Sequence, residues 1–156
     1  MHTLQNSKTI MIAAAFALLP MLSGPAAAHD NHASYSAGEP GDPKKPSREV
    51  IVEMGDRFYK PKTVEVKRGE QVRFVLRNDG YEDHEFLLAT PAENLKHAEA
   101  MRKNPGMEHA EPNGLQLAPK KSGEIVWKFT MAGTFEFSCL IEGHREDGMT
   151  GTVVVK

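Results

Sequence analysis

The sequence has 156 residues, room for one domain and an appendage but not for several domains. Charged residues make up 26% and aromatics 7%, the balance of a soluble globular chain and not of a disordered one. A formal net charge of −2 argues against a nucleic acid partner and against an anionic membrane surface.

Residues 1–28 read as a secretory signal peptide. Lys8 is the positive start, residues 10–19 form a short apolar run, Pro20 and Gly24 break it, and Ala26-Ala27-Ala28 offers a small-residue cleavage site. The run is too short to span a membrane, so no span is expected in the mature form. No cysteine stands near the cleavage site to carry a lipid, and the expected destination is the periplasm. Lys8 is the only charged residue in this segment, so its removal leaves 18 basic against 21 acidic residues, a formal −3.

Residues 29–47 are rich in Gly, Pro, Ser and charge and read as a flexible N-terminal arm. Cleavage after Ala28 makes His29 the first residue. Its amine and imidazole nitrogens suit Cu(II) by donor type, and His32 lies beside it. The plainer reading is a tail whose histidines do nothing.

From Arg48 onward the pattern is of short strands. Residues 50–54 are an apolar run ended by Gly55-Asp56. Val64 and Val66 share one face of the next strand, and Val72, Phe74 and Leu76 share one face of the strand after it. Asn78-Asp79-Gly80 is a turn. Residues 84–89 form another strand, stopped by Pro91. Residues 92–103 are helix formers, with Asn104-Pro105-Gly106 as a stop. Such an insertion fits a place where the chain crosses between sheets. His97 and Met101 share a helix face, and Met107 and His109 follow. These four are soft and imidazole candidate donors for a labile copper, against the reading of a helix whose Met packs inward and whose His residues face water. Residues 114–117 and 123–129 are strands, the latter with Ile125, Trp127 and Phe129 on one face. The whole predicts an all-β, Greek-key, antiparallel two-sheet β-sandwich over residues 48–156 with a short helical insertion. The faces of Val72/Phe74/Leu76 and Ile125/Trp127/Phe129 are expected to oppose each other across the core.

The chemistry concentrates after residue 134. Phe135, Phe137 and Cys139 alternate as a strand, and Cys139 is the only cysteine. A loop then carries His144 and Met149 before the chain resumes as a Val-rich strand. One cysteine cannot close an internal disulfide. It is a reactive thiol, half of an intermolecular bond, a buried hydrophobe or a metal ligand. Thiolate, imidazole and thioether on one loop are three of the four donors of a mononuclear blue-copper site. His84, at the start of a distant strand, supplies the fourth. Zinc also accepts thiolate and imidazole, but a thioether is a poor zinc donor, so Met149 favours copper.

These residues carry a resemblance to the cupredoxins, the plastocyanin/azurin family of small copper proteins. The ligand loop here is Cys-x4-His-x4-Met, and Asn78-Asp79-Gly80 precedes His84 by four residues. The resemblance covers residues 48–156 and implies one type 1 copper held by His84, Cys139, His144 and Met149. Many cupredoxins carry Asn directly after the first His, where it pins the ligand loops; this chain has Glu85. The histidines of the arm, the Met/His insertion and this variant are closest in character to copper-tolerance cupredoxins. A His2-Cys-Met set leaves no open position for a substrate, so no enzyme activity is expected. The expected role is one-electron transfer as a monomer, with a redox partner such as a cytochrome, a copper oxidase or a reductase. The alternative is copper tolerance: binding, oxidising or handing on excess periplasmic copper among copper-handling proteins. His144 is expected to be the more exposed imidazole, with partners docking on Leu140 or Ile141.

Overall fold

A computed structural model of the protein describes residues 35–46, 48–104 and 111–156. The expected signal peptide, and His29, His32, Met107 and His109 among the candidate copper donors, lie outside the described residues.

The strands are β1 (Glu39–Pro40), β2 (Arg48–Gly55), β3 (Phe58–Lys60), β4 (Thr63–Val66), β5 (Gln71–Asn78) and β6 (His84–Ala89). After helix α1 (Pro91–Lys103) come β7 (Gly114–Leu117), β8 (Ser122–Lys128), β9 (Gly133–Ser138) and β10 (Thr150–Val155). They form two five-stranded sheets, in the orders β1-β8-β5-β2-β3 and β4-β10-β9-β6-β7. Among the described residues no helix is long and apolar enough to cross a membrane.

The sandwich follows from period-two alternation. On β5 the side chains of Val72, Phe74 and Leu76 are fully buried while Arg73 and Val75 between them are only partly so. On β4 Val64 and Val66 point in and Thr63 and Glu65 point out. Across the core Phe74 meets Phe86 at a centroid separation of 5.4 Å, and Tyr59 meets Phe137 edge-on at 5.1 Å. Phe86 and Phe137 stack at 5.0 Å. This aromatic layer fills the space between the sheets, and burying each ring is worth roughly 1.5–3 kcal/mol.

Four sequence expectations are corrected by the topology. The sandwich is not wholly antiparallel, since β2 pairs with β5 and β4 with β10 in parallel. The apolar faces of β5 and β8 do not oppose each other. The two strands are neighbours in one sheet, with Val72 beside Trp127 and Phe74 beside Ile125. Alternation says which face of a strand is buried; it carries no information on which strand lies next to it or in which direction. The helix, third, does not carry the chain between sheets, because β6 and β7 on either side of it are antiparallel partners.

The fourth concerns residues 35–46, expected as part of a flexible arm. They are docked on the first sheet. β1 pairs with β8, Ala37 is fully buried, and the Trp127 Nε1–H donates to the Ala37 carbonyl at 3.1 Å. Tyr35 packs edge-on against the indole at 5.3 Å, and the Gln71 amide donates to the carbonyls of Asp42 and Lys45. A buried indole N–H needs an acceptor, and β8 would otherwise present an open edge. Those two demands outweigh the Gly- and Pro-rich composition.

Helix α1 starts at a capping box: Thr90 accepts from the Glu93 N–H, and Glu93 accepts from the Thr90 N–H. Ser36, from the docked segment, also donates to Glu93. The helix lies on the outer face of the second sheet, where Ala98 meets Leu87 and Leu140 in a small separate cluster. That cover explains β6, where Leu87 and Ala89 on its outward side are as buried as Phe86 and Leu88 on the other.

Candidate metal centre

Three of the sequence-predicted donors converge at one end of the sandwich. His84 opens β6, Cys139 follows β9, and His144 lies in the loop between β9 and β10. Their donor atoms all lie within 4.8 Å of one another, and all three residues are buried. His84 Nδ1 is 3.3 Å from His144 Nδ1, and Cys139 Sγ is 3.3 Å from the same His144 nitrogen.

The alternation of β9 carries Cys139 into the core cluster that also holds Phe86 and Phe137. The loop that follows is held by its own backbone. His144 donates to the Ile141 carbonyl, Asp147 to Gly143 and Gly148 to Arg145. Gly143 and Gly148 take φ of 83° and 95°, a region that favours glycine. Gly151 lies beyond the turn, as a residue of β10. It sits opposite Phe137, whose ring covers it, so a Cβ there would overlap the ring.

Met149 is fully buried at the end of the loop. Its N–H donates to the His144 carbonyl at 3.0 Å and its carbonyl accepts from the Cys139 N–H at 3.2 Å. The loop begins and ends on paired strands, with Ser138 opposite Thr150.

Glu85 makes the pinning contacts that its position beside His84 left open. Its backbone N–H points at Cys139 Sγ at 3.4 Å, and its carboxylate accepts the Leu140 N–H at 3.2 Å. Tyr59 donates its hydroxyl to the Glu85 carbonyl. On the far side Arg145 makes a forked ion pair with Glu136, which also accepts from Asn94 of α1. The helix thus braces the loop through Glu136 and through Leu140.

Two contacts have no counterpart in the sequence reading. His84 Nε2 lies 3.1 Å from Asp56 Oδ1, and His144 Nε2 lies 3.4 Å from Glu82 Oε2. Glu82 stands two residues before His84, in an acidic run that could have been noticed. Asp56 sits in a distant turn and carries no local signal.

Electrostatics at the cluster follow from burial. Desolvation pushes the metal-free Cys139 thiol up to about 11, against the lowering effect of the Glu85 and Ile141 backbone contacts. Desolvation, with the Arg57 charge and the neighbouring His84, lowers His144. Both shifts favour neutral groups in a dry pocket. A soft, desolvated sulfur beside two imidazole nitrogens is a donor set that a copper ion fits.

His144 is marginally the more exposed imidazole, at 5% against 0% for His84. Leu140, expected as docking surface, is buried under α1. The second candidate cluster is only partly described. His97 is partly buried on α1 with Nδ1 4.0 Å from Glu111 Oε1, and Met101 is partly exposed near the helix end.

A two-sheet β-sandwich whose end encloses a thiol and two imidazoles defines a class of small metal-binding sandwich proteins. Residues 10–155 match the family described as Cupredoxin-like domain, and the chain belongs to that family. It is 50% identical to the copper-resistant cuproprotein CopI of Rubrivivax gelatinosus, over 86% of this chain and 82% of the relative. It is 32% identical to the copper-resistant cuproprotein CopI of Pseudomonas aeruginosa, over 94% and 97%. Among solved structures, auracyanin B superimposes with a TM-score of 0.62 at 20% identity, over 77% of this chain and 96% of that one. The reduced auracyanin of Roseiflexus castenholzii superimposes at 0.61 and 19% identity, over 72% and 99%. These likenesses establish the fold as a cupredoxin sandwich, and family and donor set together make copper the metal that the protein binds.

Proposed function

We propose that the protein holds one copper ion through His84, Cys139 and His144, with Met149 as the fourth donor, and that this type 1 centre serves periplasmic copper tolerance by one-electron chemistry. The carrying observation is the convergence of one sulfur and two Nδ1 atoms in a buried pocket. Copper bound to such a set exchanges one electron between Cu(I) and Cu(II), with sulfur suiting the first and nitrogen the second.

The chain's own residues do the rest. The aromatic layer excludes water on the core side of Cys139, Glu85 and the Cys139–Met149 backbone contact hold the loop, and Glu136 ties loop to helix. With Met149 as the fourth donor, protein fills every metal position, so a carrier or a sequestering protein is the reading, not an enzyme. The names of the relatives favour tolerance over respiratory or photosynthetic transfer. Partners would then be copper-handling proteins or a redox protein that takes the electron.

Cu(II) titration tests the centre. One equivalent should give an intense thiolate-to-copper band in the visible, and Cys139→Ser should remove the band while the sandwich stays folded. A wild type that stays colourless at one equivalent defeats the assignment. For the role, cells carrying Cys139→Ser should lose copper tolerance; tolerance unchanged in them would favour electron transfer to another pathway.

A further inference from the structure

We propose that Asp56 and Glu82 are positioning residues that hold both imidazoles with the Nε2–H outward and Nδ1 turned to the thiol. The metal consequence rests on the copper reading above, while the contacts themselves do not.

A neutral imidazole has one N–H and one lone pair, and the partner of one nitrogen sets the role of the other. An ionised carboxylate only accepts. Asp56, 3.1 Å from His84 Nε2, accepts a hydrogen bond there and so places that ring's proton on Nε2; Glu82 stands at an ion-pair distance of 3.4 Å from His144 Nε2 and draws that ring's proton to Nε2 by its charge. Both lone pairs then lie on the Nδ1 atoms, 3.3 Å apart. Without the carboxylates the two rings would settle as an Nδ1–H···Nδ1 hydrogen bond across that gap, and one donor would be lost to the pocket. The carboxylates keep both rings ready.

The surrounding structure supports these two contacts from several directions. Asp56 Oδ1 also accepts the N–H groups of Tyr81 at 2.9 Å and Glu82 at 3.4 Å, so one oxygen holds His84 and the loop that presents Glu82. Gly80 leaves the room, since a Cβ there would meet both Asp56 Oδ1 and His84 Nε2. Arg57, in the same turn as Asp56, pairs with Glu82 at 3.4 Å and with Asp147 of the ligand loop at 3.5 Å. That chain of charges fixes Glu82 over the edge of His144.

Nitrogen NMR of the metal-free protein at about pH 8, above the ordinary range of free imidazole, reads each tautomer directly. Both rings of the wild type should be Nε2–H. Asp56→Ala should release His84, and Glu82→Ala should release His144 alone. Asp56→Asn and Glu82→Gln keep an acceptor oxygen at the same reach and should restore Nε2–H, which also guards against variants that merely fold badly. Cu(II) affinity of the alanine variants should fall roughly 10- to 100-fold, the usual loss when the partner of a ligating imidazole is removed. Unchanged tautomers in both alanine variants would overturn the proposal. Nε2–H rings in a wild type that takes up no Cu(II) would support the positioning contacts and overturn the copper reading instead.

Discussion

The backbone N–H of Cys139 donates to the carbonyl of Met149 at 3.2 Å, so the two ends of the sulfur-bearing loop are latched to each other by main chain alone. The backbone positions that carry the thiol and the thioether therefore stay together as long as the β9–β10 pairing holds. The remaining freedom lies at the crown of the loop, between Leu140 and Gly148, and there the side chain of Glu85 acts.

Glu85→Ala should loosen that crown. The Leu140 N–H loses its carboxylate acceptor in a partly buried setting. A lost hydrogen bond to a charged group costs about 1.5–3 kcal/mol. Hydrogen exchange at Leu140 should accelerate accordingly, while exchange on β5 stays as in the wild type. Equal acceleration at both places would mean that Glu85 supports the whole fold and not the loop.

Gly151→Ala should destabilise the protein by about 1–3 kcal/mol, the cost of forcing an extra carbon into a packed core. The added Cβ would overlap the Phe137 ring, which lies in the aromatic layer beneath the cluster. Chemical denaturation measures the loss. Gly143 and Gly148 substitutions act differently, through backbone strain in the loop, and should perturb the metal centre before the global midpoint moves.

Thr90→Ala should cost about 1 kcal/mol through loss of the helix cap. The same cap carries a pH dependence. At Glu93 desolvation raises the carboxyl, but hydrogen bonds from Ser36 and Thr90 outweigh it and the net shift is downward. A carboxyl lowered in the folded state contributes stability that is present above its unfolded value, about 4.3, and is lost as pH falls through the folded value. Glu93→Gln should flatten the acid limb of the stability curve in that window, as measured by thermal melts between about pH 2 and 6. An acid limb that keeps its shape would remove Glu93 from that account.

Deleting residues 1–38 should expose the indole of Trp127. The deletion removes its acceptor, the Ala37 carbonyl, and the edge-on ring of Tyr35. Trp127 is the only tryptophan, so its emission should shift to the red. Stability should fall by roughly 0.5–1.5 kcal/mol for the lost hydrogen bond, since water takes up the exposed N–H. An unshifted spectrum would mean that another group replaces the acceptor.

The strands and the helix were legible because alternation and helix propensity are local properties. Val64 and Val66 announce their arrangement within a few residues; the Thr90–Glu93 capping box is equally local but was not read. Cys139 and His144 share a short loop and could be read together; His84 was reached only through chemistry, as the donor the loop lacked. Neighbour relations were not legible. Nothing in Phe74 or Ile125 says that they lie side by side and not face to face. Asp56 was hidden for the same reason, because its tie to His84 exists only after β2 and β6 have been placed. The docking of residues 35–46 was missed because composition describes a segment's own preferences and not the unmet needs of Trp127 and of the β8 edge.

Thr63 on β4 pairs with Thr152 on β10, so the second sheet closes only when segments far apart in sequence have met. Pairings of that kind carry a loop-closure cost and slow folding. The donors inherit this timetable, since His84 opens β6 and Cys139 follows β9, two strands of that sheet. A freshly made chain therefore spends its folding time with its single thiol unshielded. The interval in which Cys139 can be oxidised, or captured by a stray ion, is set by the rate of strand assembly and not by the affinity of the finished pocket.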